Sequence, residues 1–270
     1  MSQSSKKEEE QEHIPEPPCK HKYAVVHERG DEPDKIGIKA TFNIWNPKVE
    51  RDDLSISQMW IKNDLAEPVE TLEAGWLVDP KAHPDTRFFI FFTNNNYVGK
   101  LGYDDCIPDT FEKNITGRKL GSSYLLVPVS QPDGPQYERT MEIKLNKVLG
   151  RWYIYLDKEE IGYWPTSLFK RLSVGANDVQ WGGEIVEAAT SNQPTTTQMG
   201  SGYFSASDGF KKVAYIRNIC YLDAQGNTRI PRNPRYIVTD SELYDITKLS
   251  CSGDDAFVFY GGPKKGPKSV

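Results

Sequence analysis

The sequence lacks the residue patterns that usually mark a metal site or a nucleophilic catalytic centre. It has four histidines and four cysteines, and no two cysteines form a C-x-x-C pair. The histidines lie in the N-terminal part or in a turn, so we expect surface histidines, no metal and no cofactor. The cysteines leave open up to two disulfides in three alternative pairings. They are Cys19, Cys106, Cys220 and Cys251.

The sequence also lacks a long apolar run and an excess of basic charge. No segment approaches the roughly 18 apolar residues that span a bilayer, and the charged segment Met1–Glu10 is not a secretory signal. Lysine and arginine number 33 against 38 aspartates and glutamates, a net charge of −5. That balance argues against a nucleic-acid partner. We expect a monomer that binds neither nucleic acid nor membrane, and that is either cytosolic or a mature or truncated form of a longer protein.

The residues that are present favour strands. The sequence has 6 tryptophans, 14 tyrosines, 11 phenylalanines, 21 glycines and 18 prolines, which is typical of many short strands joined by turns. Helical periodicity is nearly absent, with one short candidate helix at Pro165–Leu172. We therefore predict an all-β fold, an antiparallel, jelly-roll-like β-sandwich with very little helix. The predicted strands are Ile36–Trp45, Ser55–Ile61, Thr71–Val78, Arg87–Phe92, Ser123–Val129, Thr140–Leu145, Trp152–Leu156, Val179–Val186, Val213–Leu222 and Ala256–Tyr260.

A single domain accounts for most of the chain. Residues 1–21 are charged and then proline-rich, so we expect a disordered tail. Residues 22–263 are the predicted β-sandwich domain, and residues 264–270 form a short basic tail. The strand Arg87–Phe92 is apolar on both faces, as in a central strand covered on both sides.

Two glutamates stand beside glycine and tryptophan in predicted strands. Glu73 lies in Leu72-Glu73-Ala74-Gly75-Trp76, and Glu184 lies in Trp181-Gly182-Gly183-Glu184-Ile185. Strand alternation places each glutamate on the face opposite the apolar residues of its strand. Glycine next to a glutamate clears space on a sheet for a substrate backbone, and a fixed pair of carboxyl groups can hydrolyse a bond without a metal.

Two glutamates on strands do not by themselves indicate a peptidase. A glutamate on the polar face of a half-buried strand is ordinary, and 38 acidic residues make such a pair easy to find. A β-sandwich can instead be a binding module for cell-wall glycans or proteins, with its two glutamates in different environments. A glycosidase would place its carboxyl groups about 5–5.5 Å or 6.5–9.5 Å apart. A pair that shares a groove indicates hydrolysis, whereas glutamates on separate surfaces indicate binding.

A series of ordered motifs resembles one known family. Besides the two glutamate segments, the series contains Tyr23-Ala-Val-Val-His27, Lys39-Ala-Thr-Phe-Asn-Ile-Trp-Asn-Pro-Lys48, Leu54-Ser-Ile-Ser-Gln-Met-Trp60, Gly162-Tyr-Trp-Pro165, Thr197-Gln-Met-Gly-Ser-Gly202, Tyr244-Asp-Ile246 and Tyr260-Gly-Gly-Pro263. Together they resemble the catalytic domain of the plant neprosin family of glutamic peptidases, from about Lys22 to Pro263.

The resemblance implies a β-sandwich endopeptidase that cuts on the carboxyl side of proline at acidic pH. The family's catalytic glutamates correspond to Glu73 and Glu184, which leaves open which one is the acid and which the base. Proline-containing peptides or proteins would be its substrates, and an extracellular or other acidic secretory compartment its location. The chain departs from the family in keeping only Cys106 of a cysteine pair and in having Leu243 in place of another cysteine. An inactive homologue that acts as a binding module is the alternative.

A proline ring packs well against aromatic walls, which makes four aromatic residues candidates for the substrate pocket. Two polar residues are candidates to hold the substrate backbone or a tetrahedral oxyanion. Each of these residues is equally consistent with a core position or with ordinary strand hydrogen bonding. The candidates are Trp76, Trp181, Tyr163 and Tyr215 for the walls, and Gln198 and Arg217 for the polar contacts.

Overall fold

The computed structural model describes residues 19–97, 112–113, 124–188, 194–204 and 209–263. Within these ranges the chain is almost entirely antiparallel β-structure in two sheets. The predicted all-β sandwich with very little helix is confirmed. Cys106 lies outside the described residues, and the other three cysteines are free thiols. No helix in the described part of the chain is long and apolar enough to cross a membrane.

The first sheet has seven strands, numbered here in chain order. In spatial order they are β14 (Arg235–Val238), β1 (Lys20–Arg29), β11 (Asp178–Glu187), β3 (Leu54–Asn63), β4 (Glu70–Asp79), β5 (His83–Thr93) and β7 (Tyr124–Leu125). Neighbouring strands therefore come from distant parts of the sequence: β11 pairs with the N-terminal β1 on one side and with β3 on the other.

The second sheet packs against the first. Its main path runs through β15 (Asp245–Ile246), β17 (Asp255–Gly261), β12 (Ala214–Asp223), β2 (Lys35–Asn43), β8 (Glu138–Asn146), β9 (Arg151–Leu156), β10 (Glu159–Pro165) and β6 (Glu112–Lys113). Two short strands lie off this path, β13 (Thr228–Arg229) beside β12 and β16 (Ser250–Ser252) beside β17. The two 3-10 helices are Thr166–Leu168 and Gly209–Lys211.

The core lies between the sheets and follows the predicted alternation. On β4 the inward residues are Leu72, Ala74, Trp76 and Val78, and on β11 they include Val179, Trp181 and Ile185. Burying an aromatic or branched side chain of this size contributes about 1.5–3 kcal/mol. The indole Nε1 of Trp76 donates to the carbonyl oxygen of Asn43 at 3.1 Å and so ties β4 to the end of β2. The side chains between these inward residues, including those of the two glutamates, lie on the opposite face of β4 and β11.

Three predicted elements differ in extent or position. The candidate helix Pro165–Leu172 is reduced to the 3-10 turn Thr166–Leu168, because eight residues give too few backbone hydrogen bonds to stabilise an α-helix alone. The strand predicted at Ser123–Val129 is described only as β7, since Pro128 lacks an N–H for a sheet hydrogen bond. Arg87–Phe92 has apolar residues buried on both faces, but it belongs to β5 near the sheet edge, beyond which lies only the two-residue β7.

Candidate active site

Glu73 and Glu184 lie on one face of the first sheet, the face turned away from the second sheet. They stand on β4 and β11, and β3 runs between those strands. Glu73 is in register with Trp60 of β3, and Glu184 is in register with Ile56. Gln58 occupies the row between them. The two carboxyl groups therefore face each other diagonally across a single strand, with the Gln58 amide between their positions.

Glycines flank Gln58 on both sides because the backbones approach closely there. A Cβ on Gly75 would lie 2.0 Å from the carbonyl oxygen of Ser57, and one on Gly182 would lie 2.2 Å from the carbonyl oxygen of Ala24. Neither position accepts a larger residue without moving a strand. Because these glycines have no side chains, Gln58 has no bulky neighbour beside it in the row between the glutamates. The glycines also set the spacing of β1, β11, β3 and β4.

Glu73 sits in an environment that favours its protonated form. Its side chain is only 4% exposed, and Oε1 accepts hydrogen bonds from the hydroxyls of Thr71 and Tyr97, both at 2.8 Å. Burial first, and then the charge of Glu184, raise the pKa of Glu73 from 4.5 to about 8, although the two hydroxyls oppose the shift. Glu73 is therefore a neutral acid over the acidic and neutral range.

Glu184 is held through both of its oxygens. Oε1 accepts a hydrogen bond from Nδ1 of His21 at 2.6 Å, and Oε2 accepts one from Nε2 of Gln58 at 2.7 Å. The hydrogen bond to Glu184 raises the pKa of His21 above 6.5; burial opposes the shift, and the charges of Glu184 and Glu73 add to it. A charged donor on one oxygen and an amide on the other are partners of an ionised carboxylate.

Aromatic rings surround the two carboxyl groups on the same face. Tyr23 is in register with Glu184 and meets Trp60 edge to face, with ring centroids 6.5 Å apart. Tyr97 stacks on Phe91 at 5.8 Å. Burial and then the charges of the glutamates raise the pKa of both tyrosines above 10, so both remain hydroxyl donors. The site thus combines a carboxyl pair with apolar walls and neutral donors.

Two of the predicted wall residues lie in the core and not at this site. Trp76 and Trp181 are fully buried between the sheets. Each is separated from its glutamate by an odd number of strand positions, so it points to the opposite face. A substrate that reaches Glu73 and Glu184 from the outer face would not touch either tryptophan.

The remaining predicted contacts lie elsewhere. Tyr215 and Arg217 are on β12 of the second sheet, where both bind Glu138 at 2.6 and 2.8 Å. Tyr163, also in the second sheet, stacks under the guanidinium of Arg151. The side chain of Gln198 accepts a hydrogen bond from the backbone of Lys48. The structure does not bring any of these four residues to the two glutamates.

The residues that do gather at the site were missed in the sequence. They are His21, Tyr23, Gln58, Trp60, Thr71, Phe91 and Tyr97. Gln58 offered one signal, because a glutamine in a stretch (Ile56–Ile61) that is apolar apart from Ser57 is costly to bury without a partner. The others depend on which strands become neighbours, and no local pattern reports that.

The described residues contain no group of three or more His, Cys, Asp or Glu side chains that could hold a metal ion. An open cavity of about 860 Å³ lies on the outer face of the second sheet, lined by Lys39, Thr140 and Thr228 among others. It contains none of the residues around Glu73 and Glu184.

The fold and the site define a class: a two-sheet antiparallel sandwich with a buried carboxyl pair on one outer face. Comparison with protein-family models gives the family, because the Neprosin model matches residues 51–263. The chain belongs to the Neprosin family. This membership confirms the resemblance seen in the sequence and supports a glutamic-type peptidase.

Solved structures with a similar backbone fold include two peptidases and a carrageenase. Scytalido-glutamic peptidase with a peptide-based transition-state analogue has a TM-score of 0.46 at 11% identity, covering 90% of this chain and all of that chain. SCP-B, an eqolisin-family peptidase in complex with the tripeptide Ala-Ile-His, has a TM-score of 0.47 at 10% identity with the same coverage. The kappa-carrageenase of Pseudoalteromonas carrageenovora has 0.33 at 10% identity, covering 88% and 78%. These scores are below 0.5, so no residue role or substrate is transferred from them.

Proposed function

We propose that the protein is a glutamic endopeptidase that cleaves on the carboxyl side of proline at acidic pH, with Glu73 and Glu184 as its catalytic pair. The observation that carries the proposal is the difference between the two carboxyl surroundings. Burial keeps Glu73 protonated up to about pH 8, whereas Glu184 has a hydrogen-bond donor on each oxygen. A neutral carboxyl group beside one that accepts a hydrogen bond on each oxygen can supply one acid and one base.

The chemistry follows from these preferences. Glu184 takes a proton from a water molecule as the water oxygen attacks the scissile carbonyl carbon. Protonated Glu73 donates a hydrogen bond to the carbonyl oxygen and so stabilises the charge that develops there. The proton held by Glu184 then passes to the leaving amine, and both carboxyl groups return to their starting forms. Each acid–base contribution is worth about 10²–10⁴ in rate.

Among the described residues, Glu73 has one oxygen that accepts no hydrogen bond. Its Oε1 accepts from Thr71 and Tyr97, and no hydrogen bond from another described residue reaches Oε2. A proton on Oε2 can therefore point towards a substrate while Oε1 stays anchored. The anchoring hydroxyls hold the acid in one rotamer, which lowers the entropy lost when substrate binds.

The preference for proline rests on the rings beside the pair. Tyr23 is in register with Glu184, whereas Trp60 and Phe91 are in register with Glu73. The hydroxyl of Tyr97 also binds Glu73. A proline ring is rigid and apolar, so it loses little entropy against such walls. Proline-containing peptides or proteins are the proposed substrates, and an acidic extracellular or secretory compartment is the proposed location, because acid keeps both Glu73 and His21 protonated.

The test is cleavage of matched peptides with and without proline by the folded protein from pH 3 to 7, with products mapped by mass spectrometry. We expect cuts after proline at acidic pH, and a loss of at least about 10²-fold in kcat in both Glu73→Gln and Glu184→Gln. Glu187→Gln is the matched control, because Glu187 is on the same strand but faces Lys22 at 3.2 Å. Normal activity in either folded active-site variant would contradict the assignment, and an inert wild-type protein would favour a binding module.

A further inference from the structure

His21 reaches Glu184 from the edge of the site. It lies near the start of β1, two residues before Tyr23, which is the strand partner of Glu184. Its Nδ1 is 2.6 Å from Oε1 of Glu184, and its side chain is 44% exposed whereas that of Glu184 is 6% exposed. The ring of Tyr23 stacks on the imidazole at 6.1 Å with an interplanar angle of 16°. The imidazole is thus oriented on one face and open to solvent elsewhere.

The two donors to Glu184 differ in kind. Gln58 is 1% exposed and neutral at every pH, so its hydrogen bond does not depend on pH. His21 gains or loses a charge near neutral pH. The base of the pair therefore has one fixed partner and one partner that changes with pH.

The charges around His21 all favour its protonated form. Glu184 acts from β11 and Glu73 from β4, and both raise the pKa of His21. On its own strand the neighbouring ionisable ring is that of Tyr23. Lys22 points to the opposite face, where it binds Glu187 and Asp240 at 3.2 and 2.6 Å. No cation from these elements opposes a positive charge on His21.

We propose that His21 is a positioning residue that, in its protonated form, holds the Glu184 carboxylate in the orientation needed to activate water. The inference rests on the proposed function. The raised pKa of His21 keeps the imidazole a charged donor to Oε1 of Glu184 at acidic pH, and a charged hydrogen bond is stronger than a neutral one. His21 does this without touching the substrate.

Two substitutions separate the hydrogen bond from the charge. His21→Phe keeps a ring to stack on Tyr23 but removes both the donor and the charge. His21→Asn places an amide nitrogen near the position of Nδ1, so it restores the donor without the charge. His27→Asn is the matched control, because His27 is on the same strand and face and binds another acid, Asp178, at 3.2 Å. All variants are compared with wild type and with Glu184→Gln in kcat, KM and their pH profiles on one proline peptide.

We expect His21→Phe to lower kcat about 10- to 100-fold with KM nearly unchanged, and His21→Asn to recover a large part of that loss. The fall in kcat that accompanies deprotonation of His21 on the alkaline side should be missing from both variants, while His27→Asn follows wild type. A wild-type profile in His21→Phe, or equal losses in the His21 and His27 variants, would overturn the inference about His21. The proposed function would still stand if Glu184→Gln were inactive. An active Glu184→Gln would overturn both.

Discussion

At the scale of single residues, two buried acids of this protein have hydrogen-bond donors on both carboxylate oxygens. Glu70 accepts three backbone N–H groups, from Lys170, Arg171 and Leu172, at 2.7–2.8 Å. Asp53 accepts from a backbone amide and two threonine hydroxyls. A carboxylate with hydrogen-bond donors on both oxygens holds the loops that supply those donors in place. Glu73 is about as buried as these two acids, but the described residues donate hydrogen bonds to its Oε1 only.

The raised pKa of Glu73 has a consequence for stability. Its folded-state pKa of about 8 exceeds the value of 4.5 expected in the unfolded chain, so the folded protein holds a proton that the unfolded chain releases between these pH values. The free energy of unfolding should therefore fall as pH rises from 4.5 to about 8, by at most about 1.4 kcal/mol per pH unit. His21 acts in the same direction, because its stabilising charge is lost as pH rises through its raised pKa.

Glu73→Gln should remove the larger part of this slope, since glutamine is neutral throughout. Urea unfolding of wild type and variant at several values between pH 4 and 8 measures the effect. We expect the two to have similar stability near pH 4 and the variant to be the more stable near pH 8. Parallel curves for the two proteins would show that Glu73 does not titrate differently in the folded state.

At the scale of elements, the site depends on the spacing of four strands. The close approach at Gly75 and Gly182 places β1, β11, β3 and β4 so that side chains from all four meet around Gln58. The pairing is antiparallel and in register throughout, so a displacement of one strand moves the row that separates the glutamates. The spacing of these strands and the relative position of the two glutamates are therefore coupled.

Gly75→Ala tests this coupling. Its methyl group would lie 2.0 Å from the carbonyl oxygen of Ser57, so β3 and β4 must separate. We expect a loss of at least about 2 kcal/mol in the free energy of unfolding together with a large fall in kcat. Gly30→Ala is the control, because the nearest atom to its methyl group is the flexible Nζ of Lys35 at 3.2 Å. A fully active and stable Gly75→Ala protein would contradict the close packing.

The same scale explains what the sequence could and could not predict. Alternation within β4 and β11 correctly places Trp76 and Trp181 on the apolar face, and the glutamates opposite, because the two-residue period is local. The aromatic pocket residues were predicted from residue type, which ignores that period. Gln58, His21 and Tyr97 join the site through pairings between distant segments, and such pairings depend on the whole fold.

At the scale of the whole molecule, the two-sheet core holds the described chain together without a disulfide among Cys19, Cys220 and Cys251. Their environments differ. Cys19 and Cys251 are exposed, whereas burial raises the pKa of Cys220 from 9 to about 11. Thiolate is the reactive form of cysteine, so the three thiols should differ in reactivity.

Iodoacetamide at pH 8 should therefore modify Cys19 and Cys251 before Cys220 in the native protein. Peptide mass mapping over time measures the order, and modification in urea, where all thiols are exposed, is the control. The free energy of unfolding should be unaffected by prior modification of the two exposed cysteines. Rapid native labelling of Cys220 would contradict its burial.

The order of strands in the first sheet also bears on how the protein is made. The Glu184 strand inserts between the N-terminal β1 and β3, and 163 residues separate His21 from the glutamate that it binds. A chain emerging from the ribosome therefore contains Glu73 long before Glu184 is synthesised. Until then, the edges of β1 and β3 that pair with β11 have no strand beside them. The proposed carboxyl pair is complete only with β11, when most of the polypeptide has been synthesised. Under the proposed function, an incomplete translation product therefore has Glu73 without Glu184 and is not yet a peptidase.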